Sequence, residues 1–342
     1  MIGAGSPYKA GMTRSLLCTL PLPAPAPERL TAAAEVRVLG RIPTEAELAA
    51  EVAGGVDVLC AQLRDPLTTA VLDAGLPRLR AVSLFSVGYD NVDIAAATAR
   101  GIVVGHTPGV LTDATADCAL GLMIAAARRL CEGDHVTRSG GFHGVEPEFM
   151  LGLDLRDALL GVVGFGRIGQ ALARRALACG MRVAHSEHRG APPPPDLDGR
   201  VVAMPLDRLI AQADVVSLHV PLSDSTRHLI DEAALRRMKP TAVLVNTARG
   251  AVVDERALVR ALREGWIAAA GLDVYEDEPR LAPGLVDCRN AVLAPHLGSA
   301  TVRTRATMAE MCAENAIAAL RGVVPPHCVN PEAWAPGAPP PL

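Results

Sequence analysis

The chain has 342 residues, 50 % of them hydrophobic, with a formal net charge of −4 and only 3 % aromatics. That length suits about two domains with sizeable cores. The mild acidity, the lack of any basic run or arginine-rich arm, and the scarcity of aromatics for base stacking argue against nucleic acid or an anionic membrane as partner.

At the amino terminus, MIGAGSPYKAGMTRSLLCTLPLPAPAP makes a poor signal peptide. Its apolar piece is short and proline-broken, with no clear small-residue cleavage site behind it. The first dozen residues read as a disordered extension, as does PGAPPPL from Pro336. No apolar run approaches membrane-spanning length. SLLCTL, EVRVLG, VDVLCA, RAVSLFS and GIVVGH read as strands, with helical stretches such as TEAELAAEVAGG and NVDIAAATAR between them. This alternation predicts a parallel α/β sheet. A long helix is predicted at about 112–131, with Thr and Asp of LTDATAD as caps.

The rhythm then restarts. ALLGVVGFGRIG is an apolar strand running into a glycine turn, and MRVAHS, ADVVSLHV, AVLVNTA, IAAAGLDV and AVLAPH follow as strands. QALARRALACG and ERALVRALREG read as helices between them, the proline block at 191–195 as a loop, and about 300–321 as a closing helix. Two α/β domains follow, the first taking back the end of the chain, with a ligand cleft expected between them. The eight cysteines (Cys18, Cys60, Cys118, Cys131, Cys179, Cys288, Cys312 and Cys328) form no C-x-x-C pair and no zinc spacing. They read as free thiols of a cytoplasmic protein, and no metal is expected.

GFGRIG at 164–169 is a G-x-G-x-x-G between an apolar strand and an amphipathic helix. In that setting Gly164 permits the tight turn, Gly166 lets backbone approach a pyrophosphate, and Gly169 allows close helix packing. The helix start offers free N–H groups and a positive dipole end to phosphates. Glu187 closes the next strand about twenty residues on, where a ribose-binding carboxylate belongs. It accepts hydrogen bonds from ribose hydroxyls and repels a 2′-phosphate, while His188 and Arg189 pull the other way. NAD(H) is therefore favoured as cofactor, with NADP(H) possible.

Three more motifs end predicted strands. NTARG places Arg249, GLDVYEDEP places Asp273 and Glu278, and APHLGSA places His296. Singly, each has a plain structural reading: a surface ion pair, a solvated loop charge, a core histidine. Together an arginine can clamp a carboxylate, a histidine can move the proton at a carbonyl, and a glutamate beside an imidazole orients it and favours its charged form. With a nicotinamide, that set suits hydride exchange between a 2-oxo and a 2-hydroxy acid.

From about residue 15 to 334 the chain resembles the D-isomer-specific 2-hydroxyacid dehydrogenases. It carries FSVGYDNVD, TPGVLTDATAD, GFGRIGQA, NTARGAVVDE, GLDVYEDEP and PHLGSAT in order. The resemblance implies two doubly wound parallel-sheet domains of α/β class. A Rossmann dinucleotide-binding domain would span 111–298, and a flavodoxin-like substrate-binding domain 1–110 and 299–342. It implies Arg249 on the substrate, His296 as acid/base, Glu278 as its partner, and Asp273 orienting the carboxamide. The backbone of Val87 and Gly88 would cradle the substrate carboxylate, joined by Ser299. Arg167, Ile168, Val220, Thr226, Thr247, Ala248 and Gly298 would complete the dinucleotide site.

Within the family SVGYDN, the 138–155 segment, HLGSATVRTRATM and VVPPHCVNPEAW are most similar to glyoxylate/hydroxypyruvate reductases. Phe142 replaces their usual tryptophan, and Val87 stands where phosphite-oxidising relatives carry lysine. A homodimer is implied, joined through the long helix and the segment after it. The rival reading is a corepressor-like relative that senses NAD and binds protein motifs.

Overall fold

The computed structural model describes residues 14–186 and 193–334. The predicted terminal extensions lie outside them. In chain order the strands are β1 (Ser15–Cys18), β2 (Glu35–Val38), β3 (Val58–Ala61), β4 (Ala81–Leu84), β5 (Val103–Gly105), β6 (Leu159–Val163), β7 (Arg182–Ser186), β8 (Val201–Met204), β9 (Val215–Leu218), β10 (Val243–Asn246), β11 (Ala269–Leu272) and β12 (Ala291–Leu293). The helices are α1 (Ala26–Thr31), α2 (Glu45–Ala53), α3 (Thr69–Ala74), α4 (Ile94–Ala99), α5 (Thr112–Ala127), α6 (Leu130–Arg138), α7 (Arg167–Ala178), α8 (Leu206–Gln212), α9 (Glu232–Arg237), α10 (Glu255–Glu264) and α11 (Val302–Leu320).

The chain divides into two units, one running to Leu111 and resuming at Thr301, the other Thr112–Ala300. Against the boundaries read from the sequence, Leu111 moves to the first unit and Ser299 and Ala300 to the second. The first unit is a parallel sheet ordered β2-β1-β3-β4-β5, the flavodoxin-like doubly wound order. β3, β4 and β5 are buried throughout, so they read as unbroken apolar runs. Alternate residues serve opposite faces. Leu16 and Cys18 pack under Cys312, Ala313 and Ala316 of α11, while Leu17 meets Leu48 and Val52 of α2 and Val71 of α3. A capping box starts α2: the Thr44 hydroxyl accepts the Glu47 N–H, and the Glu47 carboxylate accepts the Thr44 N–H.

The second unit orders its strands β12-β11-β10-β9-β6-β7-β8, all parallel, the dinucleotide-fold order with one further strand. α5 and α7 cover one face through Ala119, Met123, Leu172 and Ala176. α8, α9 and α10 cover the other through Leu209, Leu235, Leu258 and Leu262. The direction of winding reverses between β6 and β9, whose carboxyl ends carry the glycine turn and His219.

One predicted element needs correction. The predicted helix at 112–131 stops at Ala127: Arg129 turns left-handed at φ +54°, and the Leu153 N–H takes the Ala127 carbonyl at 2.9 Å. A new helix, α6, starts at once, with the Arg129 guanidinium on Glu132 at 2.8 and 2.9 Å. β8 and the short helices α1, α3, α8 and α9 had no clear periodic signal. Among the described residues no helix is long and apolar enough to cross a membrane.

Candidate active site

The glycine turn follows β6. Gly164 has φ +96°, and a Cβ there would lie 2.6 Å from the carbonyl carbon of His219, so only glycine fits. A Cβ on Gly169 would meet the Gly164 oxygen at 2.3 Å, which is how closely α7 sits on the turn. Gly166 faces open space. It precedes the first turn of α7, where Arg167 and Ile168 present N–H groups that no helical carbonyl can reach. Open space beside an unsaturated helix start is what a pyrophosphate requires. The buried Thr247 hydroxyl, at the end of β10, has no hydrogen-bond partner among the described residues. These residues fit a dinucleotide. The Ser186 hydroxyl accepts the Gly164 N–H at 3.2 Å, closing β7 against the turn. Glu187, His188 and Arg189, which come next, lie outside the described residues.

Across the switch point His219 follows β9. Burial pushes its imidazole down to about 4, and its Nε2 stands 2.9 Å from the Ser217 hydroxyl. Val220 packs against the apolar core. The Thr226 hydroxyl is used within its own loop, donating to the Pro221 carbonyl at 2.6 Å and accepting the Ser223 N–H at 2.8 Å.

Arg249 stands at the carboxyl end of β10 on a turn that Asn246 shapes. Buried Asn246 donates from Nδ2 to the Arg249 carbonyl at 2.9 Å and accepts the Ala248 N–H at 3.0 Å. Arg249 itself is half-buried and extended, with Nη1 donating to the Ala248 carbonyl at 2.8 Å. Gly250 comes next, and a Cβ there would fall 1.8 Å from the Tyr275 carbonyl carbon. The arginine turn and the Tyr275 loop therefore touch backbone to backbone.

Asp273 follows β11 and is 1 % exposed. One carboxylate oxygen accepts the Leu297 N–H at 2.5 Å and the other the Gly298 N–H at 2.7 Å, while its carbonyl accepts the His296 N–H at 2.9 Å. Burial raises its carboxyl above the ordinary range, against the pull of those two N–H groups. The three bonds hold His296 at φ +57°, a left-handed geometry that non-glycine residues rarely adopt and that clusters at functional sites. The His296 Nδ1 lies 2.9 and 3.2 Å from the two Glu278 oxygens. A carboxylate only accepts, so Nδ1 carries the proton. Nε2 has no protein partner among the described residues. Ser299 is half-buried beyond Gly298, whose carbonyl accepts from the Thr115 hydroxyl at 3.2 Å.

In the first unit, Val87 and Gly88 follow β4. Their carbonyls are occupied, Val87's by His106 Nδ1 at 2.9 Å and Gly88's by the Ser86 hydroxyl at 2.6 Å. Their N–H groups have no protein acceptor among the described residues. A pair of adjacent free N–H groups is a carboxylate-binding element.

The family model for the NAD binding domain of D-isomer specific 2-hydroxyacid dehydrogenases matches residues 120–298. The chain belongs to that family. The glyoxylate reductase of Korarchaeum cryptofilum is 51 % identical over 280 residues, 81 % of this chain and 83 % of that one. A protein of Thermus thermophilus superposes with a TM-score of 0.85 at 46 % identity, covering 92 % of this chain and 99 % of its own. The NADPH-dependent glyoxylate/hydroxypyruvate reductase of Sinorhizobium meliloti, solved with NADP and malonate, superposes at 0.81 with 32 % identity over 96 % and 100 % of the two chains.

In this dehydrogenase, the second unit gathers Gly164, Gly166, Arg167, Ile168, Gly169, Val220, Thr226, Thr247, Ala248, Arg249, Asp273, Glu278, His296, Gly298 and Ser299 along or beyond its strands' carboxyl ends. A cavity of about 550 Å³ lies elsewhere, lined by Thr241, Ala268 and Asn290 at the opposite ends of β10, β11 and β12. It is far from the glycine turn. Sequence reading missed Asn246, Glu255 and the Glu276–His228 contact at 2.7 Å. A buried amide in NTARG and an acid at a helix start were visible, but not what they would bond.

Proposed function

We propose that this dehydrogenase reduces a small 2-oxo acid, glyoxylate or hydroxypyruvate, to the corresponding 2-hydroxy acid with NAD(P)H, the D isomer where C2 becomes a stereocentre. The observation that carries the reading is the His296–Glu278 pair, with Nε2 left open, on the sheet edge that also bears Arg249 and the glycine turn. When bound, the nicotinamide supplies the hydride that reaches C2 of the substrate. Gly164, Gly166 and the first turn of α7 would hold its pyrophosphate, and Thr247, Ala248 and Asp273 its far end.

The chain's own side chains do the rest. Arg249 holds the substrate carboxylate and carbonyl oxygen and stabilises negative charge developing there. His296 delivers a proton from Nε2 to that oxygen. Glu278 fixes the ring by accepting a hydrogen bond from Nδ1–H. The free N–H groups of Val87 and Gly88 would receive the substrate carboxylate. In the reverse direction neutral His296 takes the hydroxyl proton. His296→Gln should lower kcat by about 10²–10⁴-fold and leave the NADH dissociation constant near that of the parent. Steady-state rates on glyoxylate and hydroxypyruvate with fluorescence titration of NADH check it, and near-normal turnover would sink the assignment.

NAD(H) is the preferred cofactor in this reading because of Glu187. The protein acts in a reducing compartment, the cytoplasm, which suits eight cysteines that all stand unpaired. It works as a homodimer, supported by Leu130, Phe142, Val145, Phe149 and Leu151, exposed between 42 and 94 % along one segment. No observation favours the corepressor-like reading.

A further inference from the structure

The loop that carries Glu278 is gripped from outside the reacting pair. Glu255, the first residue of α10, is 4 % exposed. Its Oε1 accepts the Glu276 N–H at 2.7 Å. No cation pairs with it among the described residues. Burial, and then the nearby Glu276 and Glu278 charges, push its carboxyl above the ordinary range. A buried acid in that position costs stability. What it provides in return is an acceptor for the Glu276 N–H of that loop.

The same loop is held at its side chains. Glu276 reaches the other way, its Oε1 2.7 Å from His228 Nε2. His228 is itself fixed at φ +49°, its N–H on the Ala251 carbonyl at 2.8 Å. The Tyr275 hydroxyl donates to the Ala294 carbonyl at 2.8 Å, two residues before His296. The Tyr275 N–H donates to Glu278 Oε1 at 3.1 Å. Glu278 is therefore aimed by a loop whose position α10 and the His228 segment set.

We propose that Glu255 and the Glu276–His228 pair are positioning residues that hold the 275–278 loop so that Glu278 reaches the His296 Nδ1. Their hydrogen bonds go to the loop and to each other, and His296 bonds Glu278 alone at its side chain. The proposal rests on His296 being the acid/base. A misplacement of about 1 Å far from the reacting atoms can cost a hundredfold in rate, so a clamp at this distance has kinetic weight.

The test uses the full chain with Glu255→Gln and Glu276→Ala, the second leaving the backbone N–H that Glu255 accepts. Each folded variant should lose kcat on glyoxylate by about tenfold or more while KM and the NADH dissociation constant stay within about twofold. Crystal structures should show Glu278 more than about 3.5 Å from Nδ1. Parent-like kcat with an unmoved Glu278 in both variants overturns the proposal. So does a parallel loss of kcat, KM and NADH binding that tracks the folded fraction. If Glu255→Gln does not fold, Glu276→Ala decides alone. A parent enzyme inactive on every 2-oxo acid defeats the functional reading instead, and the Glu278–His296 distance in the variants still decides the clamp.

Discussion

In the proposed reading, the charge at position 187 bears on the choice between two cofactors. A carboxylate beside the ribose accepts its hydroxyl protons, and beside a 2′-phosphate of about −2 charge it repels. Glu187→Ser should therefore raise the ratio of kcat/KM with NADPH to that with NADH. An unchanged ratio removes Glu187 as the discriminator. His219 offers a second single-residue test. Burial holds it neutral down to about 4, whereas an unfolded histidine titrates near 6.5. Between those values the unfolded chain binds one more proton, so stability is full above about pH 6.5 and is lost as pH falls through about 4. The total is roughly 3 kcal/mol. Urea midpoints at pH 7 and pH 5 should converge in His219→Gln relative to the parent. Identical pH slopes in the two proteins would exclude the effect.

Among the elements, the strand ends show where local reading succeeds. GFGRIG was legible because strand, turn and helix start adjoin in sequence, with Gly164 answering to φ itself and Gly169 to a contact within a few residues. The 112–131 helix was not, since nothing in its composition announces that the Leu153 N–H will take the Ala127 carbonyl. Gly250 makes a sharper case. Its need for glycine comes from the Tyr275 backbone, 25 positions away, where a Cβ would sit 1.8 Å from a carbonyl carbon. Gly250→Ala must push the arginine turn and the Tyr275 loop apart. We expect a stability loss of about 1–3 kcal/mol and a fall in kcat larger than that of any surface Gly→Ala control, read from denaturation curves and initial rates. A variant as stable and active as the parent would show that the two turns move independently.

For the whole molecule, the exposed apolar side chains from Leu130 to Leu151 are what a second copy would cover. Light scattering should give twice the chain mass, and Val145→Asp with Leu151→Asp should shift it toward the monomer; a monomeric parent would end the proposal. The sequence by itself determined the periodic elements, the glycine turn and the family, and singled out Arg249, Glu278 and His296 as candidates, because periodicity, caps and motifs are short-range properties of a chain. Only the tertiary structure decided who meets whom. Glu278 and His296 lie 18 residues apart, Glu255 and Glu276 lie 21 apart, and His228 and Glu276 lie 48 apart. Parallel strands require long crossovers, so residues at neighbouring strand ends are distant in sequence. Their pairing, the left-handed backbone of His296 and the bonding of buried Glu255 arise when the sheet assembles, and no window of sequence contains them.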